Sequence, residues 1–112
     1  QFYSISKIQN KYGAIMLKKL TPDDFISELK TLDGWSRAKE RDAMEKSFNF
    51  VDFKEAFLFM TRVATKAEEM NHHPEWYNVY SKINVTLTTH DAKGVTQLDI
   101  EMARFMNQIY QS

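Results

Sequence analysis

The sequence predicts an α+β domain: an antiparallel sheet of three to four strands with three helices packed on one face, in the order α-β-β-α-β-α. Three observations lead there. Three segments carry apolar residues at helical spacing, whereas "AMEKSFNF" and "KINVTL" alternate apolar and polar residues as half-buried strands do. Capping residues and turn formers separate these segments. A length of 112 residues allows one domain with one modest core.

The first helix is written in "TPDDFISELKTLDG". Thr21 can cap it, Pro22 fits its first turn, and Asp24 completes a capping box. Phe25, Ile26 and Leu29 give an apolar side, and Asp33-Gly34 ends the segment. "WSRAKERDAMEKSFNF" reads as a hairpin turning near residues 39–42. Met44, Phe48 and Phe50 share one face, Glu45, Ser47 and Asn49 take the other, and Lys46 breaks the pattern. The long central helix follows, with Asp52 as cap and Phe53, Phe57, Met60, Ala64 and Ala67 as its apolar stripe. "WYNVYSKINVTLTTH" reads as one strand, Val79, Ile83, Val85 and Leu87 opposing Tyr80, Lys82, Asn84 and Thr86. A fourth strand would be a short one near residues 76–80. "DAKG" is a turn, and "TQLDIEMARFMNQIY" is the last helix, with Leu98, Met102, Phe105 and Ile109 on one stripe and a capping box of Thr96 with Asp99.

Composition excludes several classes. A net charge of zero argues against a general electrostatic grip on nucleic acid or on an anionic membrane. No apolar run approaches the roughly 20 residues of a membrane span. Without cysteine there is no disulfide, thiolate metal site or cysteine nucleophile. Residues 1–19 read as an N-terminal extension of a domain at 20–112. They carry four lysines and no acid, which also fits a trimmed mitochondrial targeting segment.

The chemistry concentrates in "NHHPEW" and "TLTTHDAKG", which hold all three histidines. Glu68 and His72 are four apart and share a helix face if the last turn persists. His73 leaves in a new direction, because Pro74 disfavours helical geometry before it. His90 comes at the end of the long strand, so a strand tip and a helix tip can meet at one cleft edge. A histidine pair can supply an acid and a base near neutral pH. Each part also has a plain structural reading. Adjacent histidines often form a polar helix end, Trp76 reads as a core anchor, and capping alone explains Asp99. Zinc is disfavoured, because neighbouring histidines diverge and lack the i, i+4 spacing.

The stretch "EEMNHHPEWYNVYSKINVTLTTHDAKGVTQLD" closely resembles the pterin-4a-carbinolamine dehydratase family. The family pattern is a Glu, then His-His-Pro, an aromatic, a His near a strand end and a later Asp. Here these are Glu68, His72, His73, Pro74, Tyr80, His90 and Asp99. The likeness extends over residues 20–109. Asn71 departs from it, standing where relatives often carry Asp.

The resemblance implies dehydration of 4a-hydroxytetrahydrobiopterin to quinonoid dihydropterin and water, in recycling of the tetrahydrobiopterin cofactor, by histidine acid/base catalysis without metal or organic cofactor. By analogy His72 and His90 form the acid/base pair, in an open order, and His73 orients the pterin. Glu68, Asn71, Pro74, Thr88, Thr89, Asp91 and Asp99 are candidates for the polar edge of the pterin site. The family also implies a homotetramer built as a dimer of dimers. The alternative function is that of a dimerisation cofactor and transcriptional coactivator for a homeodomain transcription factor of hepatocytes, binding its helical dimerisation segment. The expected compartment is cytoplasmic, with a nuclear pool for a coactivator and mitochondrial import left open.

Overall fold

The computed structural model describes residues 17–111. Most of the expected N-terminal extension lies outside the described residues. Within them the chain forms α1 (Pro22–Leu29), β1 (Ser36–Arg37), β2 (Met44–Asn49), α2 (Phe53–Met70), β3 (Glu75–Val79), β4 (Lys82–Leu87), a 3₁₀ turn (His90–Ala92) and α3 (Gln97–Gln111). The strands make one antiparallel sheet in the order β1-β2-β4-β3. The α+β expectation holds, with the fourth strand realised as β3.

Register explains the sheet's two faces. Met44 pairs with Leu87, Lys46 with Val85 and Phe48 with Ile83. All but Lys46 are buried, and they meet Ala56, Phe59, Val63, Ala67 and Met70 of α2 and Leu98, Met102 and Met106 of α3. The opposite face carries exposed Glu45, Ser47, Asn84 and Tyr77. Lys46 breaks the alternation without a lone buried charge. Its ammonium nitrogen lies 4.8 and 5.4 Å from the centroids of the Phe48 and Tyr110 rings. Its ammonium donates to Asp33 O and Asn107 Oδ1, both at 2.8 Å, which is how an amphipathic side chain covers apolar surface.

Three expectations change in the structure. The strand foreseen across "WYNVYSKINVTL" is a hairpin, β3 and β4, joined through Tyr80 and Ser81. Tyr80 takes φ 49°, so Val79 falls on the exposed face and does not line up with Ile83. No glycine announces this two-residue turn. Asn78 clamps it instead, donating to Tyr80 O at 3.2 Å and Lys82 O at 3.0 Å.

The second change concerns α2. Its expected stripe is mostly outward: Phe53 and Phe57 are 47% and 54% exposed, and Ala64 is exposed. The inward stripe is Ala56, Phe59, Val63, Ala67 and Met70. Two apolar stripes at helical spacing are interleaved in this helix, and periodicity alone does not choose between them. The buried one carries the small residues Ala56 and Ala67, which let the helix approach the sheet, with Phe59 stacked 4.9 Å from Phe48.

The third change is at α1, which stops at Leu29 rather than running to Asp33. Tight turns follow, with Thr31 N–H on Glu28 O and Leu32 N–H on Leu29 O. They swing Leu32 and Trp35 into the core and leave Ile26 exposed. Thr21 does cap α1, its Oγ1 accepting from Asp24 N–H at 3.1 Å, and Asp52 caps α2 in the same way.

Candidate active site

The end of α2, the end of β4 and the start of α3 meet at one corner. Asn71 makes the corner possible. It takes φ 51°, the left-handed conformation that asparagine tolerates better than most residues, and closes the helix. The next amide, His72 N–H, donates back to Ala67 O at 3.0 Å. This reversal sends His72 inward and His73 outward.

His72 is buried, and its Nε2 lies 2.5 Å from Asp99 Oδ1. Asp99 is fully buried. Its other oxygen accepts from Thr96 N–H at 2.9 Å and from Thr89 Oγ1–H at 2.7 Å. Thr96 Oγ1 in turn accepts from Leu98 N–H at 3.2 Å, which is the reciprocal capping box the sequence predicts. Capping therefore does not exhaust Asp99: Oδ2 caps the helix while Oδ1 holds the histidine.

Glu68 and His72 do not share the helix face that their spacing allows. Because α2 ends at Met70, His72 is no longer a turn above Glu68 on a common face. The Glu68 carboxylate instead meets His73 Nε2 at 2.6 Å, with both groups exposed.

His90 opens the 3₁₀ turn, which Lys93 closes with φ 61°. Thr89 and Gly94 bridge its base. Thr88 Oγ1 donates to Asp42 O at 2.8 Å, and Val95 N–H donates to Asp42 Oδ1 at 3.1 Å. The β1–β2 turn thus braces the histidine-bearing turn. A Cβ on Gly94 would lie 2.8 Å from Asp42 Cγ. Asp42 is held by Val95 and Lys19 and yields only by losing those contacts. Gly94→Ala is therefore expected to cost about 1–3 kcal/mol, read as a lower midpoint in urea unfolding.

A cleft of about 570 Å³ brings the histidines together. Asn71, His72, His73, Thr88, Thr89, His90 and Asp91 line it, all among the expected site residues. The other expected residues are not part of the lining. Glu68 and Asp99 stand behind His73 and His72, and half-buried Pro74 carries the chain from His73 into β3. Tyr80, part of the motif, sits in the hairpin turn and is exposed. Leu17, Ala92 and Leu98 add apolar wall that the sequence reading missed.

Glu75 was missed as well. It lines the cleft and forms a two-toothed pair with Arg41 at 2.8 and 2.9 Å. Its carboxyl is held below the usual carboxylate range, first by the Arg41 hydrogen bond, with the charges of Arg41 and His90 acting in the same direction against partial desolvation. The signal available in the sequence was a carboxylate opening a strand right behind His-His-Pro. Among the described residues, no group of three or more His, Asp or Glu side chains is arranged to hold a metal ion.

Three histidines line one cleft of a small α+β domain, and two of them are bonded to carboxylates. The chain belongs to the pterin-4-alpha-carbinolamine dehydratase family, whose model matches residues 18–109. The family is one of hydro-lyases. A protein of Paraburkholderia xenovorans named for this dehydratase is 53% identical over 94 residues, covering 84% of this chain and 98% of its own length. One from Burkholderia multivorans is 54% identical over 94 residues, with 84% and 92% coverage. The crystal structure of a transcriptional coactivator/pterin dehydratase from Brucella melitensis superposes with a TM-score of 0.82 at 48% identity, over 83% of this chain and 99% of that one. Among the described residues, no helix is long and apolar enough to cross a membrane.

Proposed function

We propose that this protein dehydrates 4a-hydroxytetrahydrobiopterin to quinonoid dihydropterin and water, with His72 as the base and His90 as the acid. The product is the form from which the tetrahydrobiopterin cofactor is recycled. The observation that carries this reading is the buried Asp99–His72 contact at the wall of a cleft shared with His73 and His90. The reaction breaks the C4a–O bond and removes the N5 proton, and a C4a=N5 double bond forms. Hydroxide leaves poorly, so an acid must protonate that oxygen while a base takes the N5 proton.

The hydrogen bonds of Asp99 support this order. Its Oδ2 accepts from an amide and a hydroxyl, so the group acts as a carboxylate acceptor and His72 Nε2 carries a proton towards Oδ1. Nδ1 of His72 is then the basic nitrogen, and Asp99 stabilises the imidazolium that forms when it takes a proton. His90, exposed on the turn across the cleft, is left to protonate the departing hydroxyl. His73, held by Glu68, serves to bind a ring edge, while Asn71, Thr88, Thr89 and Asp91 offer hydrogen bonds to the pterin's polar rim. Purified protein added to freshly generated carbinolamine is expected to speed the appearance of quinonoid product. A rate equal to the buffer rate would overturn the reading.

The outward stripe of α2 favours a second role beside the first. Phe53 and Phe57 pack against each other at 5.8 Å between centroids, and exposed Leu58 lies beside them. This face fits self-association into a tetramer, a dimer of dimers, and equally fits a helical segment of a transcription factor. The Brucella relative's description as a coactivator points the same way. Phe57→Glu is expected to halve the assembly mass in sedimentation at micromolar concentration while leaving the fold intact, because Phe57 contributes little to the core. An unchanged mass, or a wild type that sediments as a monomer, would remove α2 from the interface.

A further inference from the structure

Two of the three histidines of the cleft are bonded to a carboxylate, and the two pairs differ. His72 is bonded to buried Asp99, and His73 is bonded to exposed Glu68. His90 has no hydrogen-bonded carboxylate among the described residues. Glu75, the first residue of β3, lines the same cleft and is paired in register with Thr86 of β4, four positions before His90. Glu75 is itself tied by both oxygens to Arg41, which arrives from the β1–β2 turn 34 residues away in sequence. An ion pair as exposed as this one adds little to stability. Its place on the wall of the cleft calls for another account.

We propose that Glu75, held by Arg41, is a positioning residue of the dehydration site: the pair places a fixed charge in the cleft that acts on His90 through space. The inference rests on the reading of His90 as the acid. A carboxylate near an imidazole favours the imidazolium, which the acid must be before the reaction. Arg41 partly offsets the charge of that carboxylate. The fork geometry fixes where the negative charge sits, which a free glutamate would not do. The other charged or titratable groups around His90 are His72 and His73 from the end of α2, and Asp91 and Lys93 on its own turn.

The two members of the pair act on His90 with opposite sign, and this makes the inference testable. Glu75→Gln removes the negative charge and leaves Arg41 beside the cleft, so the proton-binding midpoint of His90 should fall. Arg41→Gln unmasks Glu75, so the midpoint should rise. Between partly solvated charges each shift is on the order of 0.5 unit. The midpoint is read from the His90 ring proton in NMR titrations of the intact protein, with circular dichroism confirming that both variants are folded. Opposite shifts, reproduced in the pH profile of kcat, support the proposal. Shifts of the same sign, or none in either variant, overturn it. Opposite NMR shifts with an unmoved kcat profile would keep Glu75's hold on His90 and overturn instead the assignment of His90 as the acid.

Discussion

His72→Ala and His90→Ala are each expected to lower kcat for dehydration by about 10²–10⁴-fold, with KM changed far less. The proton transfers they serve occur only as the C4a–O bond breaks, and a lost transition-state interaction appears in kcat. His73→Ala should instead raise KM, because His73 is an exposed group held at the rim by Glu68 and grips substrate and transition state alike. The double variant of His72 and His90 should lose less than the product of the two single losses, since a base and an acid that act in one step fail together. Steady-state rates on enzymatically generated carbinolamine measure all four. A His73→Ala protein with a collapsed kcat and an unchanged KM would reverse the division of labour. A chelator is expected to leave the rate unchanged, and inactivation by chelation would place a metal in the mechanism.

Much of the site was legible because its signals are local. His-His-Pro, the Thr96–Asp99 box and the turn after His90 are each written in a few adjacent residues. Proline and capping chemistry fix their backbone regardless of the rest of the fold. What required the structure was the choice among partners. Sequence spacing puts Glu68 and His72 on one helix face if the last helical turn persists. The left-handed Asn71 removed that turn and passed Glu68 to His73. The left-handed backbone at position 71 gives the asparagine there a reason of its own. Glu75 stayed invisible because its importance lies in Arg41, and nothing in the sequence links residues so far apart.

The fold divides along the same line. Alternation in "AMEKSFNF" and "KINVTL" gave β2 and β4 their correct inward faces, because one buried face admits only one phase of a period-two pattern. The hairpin between β3 and β4 was hidden by a turn without glycine, where Asn78 supports a left-handed tyrosine. In α2 both faces are apolar, so a pattern alone selects the wrong one. The outward phenylalanines Phe53 and Phe57 stay at the surface, outside the core.

Asp99 separates stability from catalysis, and two substitutions are expected to show it. Asp99→Ala leaves the Thr96 amide, the Thr89 hydroxyl and the His72 ring without their acceptor in a fully buried place. Losing a helix cap costs about 1 kcal/mol, and stranding buried donors costs roughly 1–3 kcal/mol more. A total of about 3 kcal/mol is therefore expected in urea unfolding, together with a loss of activity. Asp99→Asn keeps the shape and one carbonyl oxygen. If that oxygen continues to accept at the cap, the amide nitrogen turns towards His72 and offers a hydrogen where the carboxylate offered a lone pair. His72 must then present an unprotonated Nε2 to the amide and carry its proton on Nδ1, which removes the base from the cleft. Asp99→Asn should thus cost less than about 1.5 kcal/mol in stability yet lower kcat by about 10²–10⁴-fold, much as when a buried aspartate that orients a catalytic histidine is replaced. An Asp99→Asn protein with near wild-type kcat would mean that the carboxylate only caps the helix, and the role of base would pass from His72 to one of the exposed histidines.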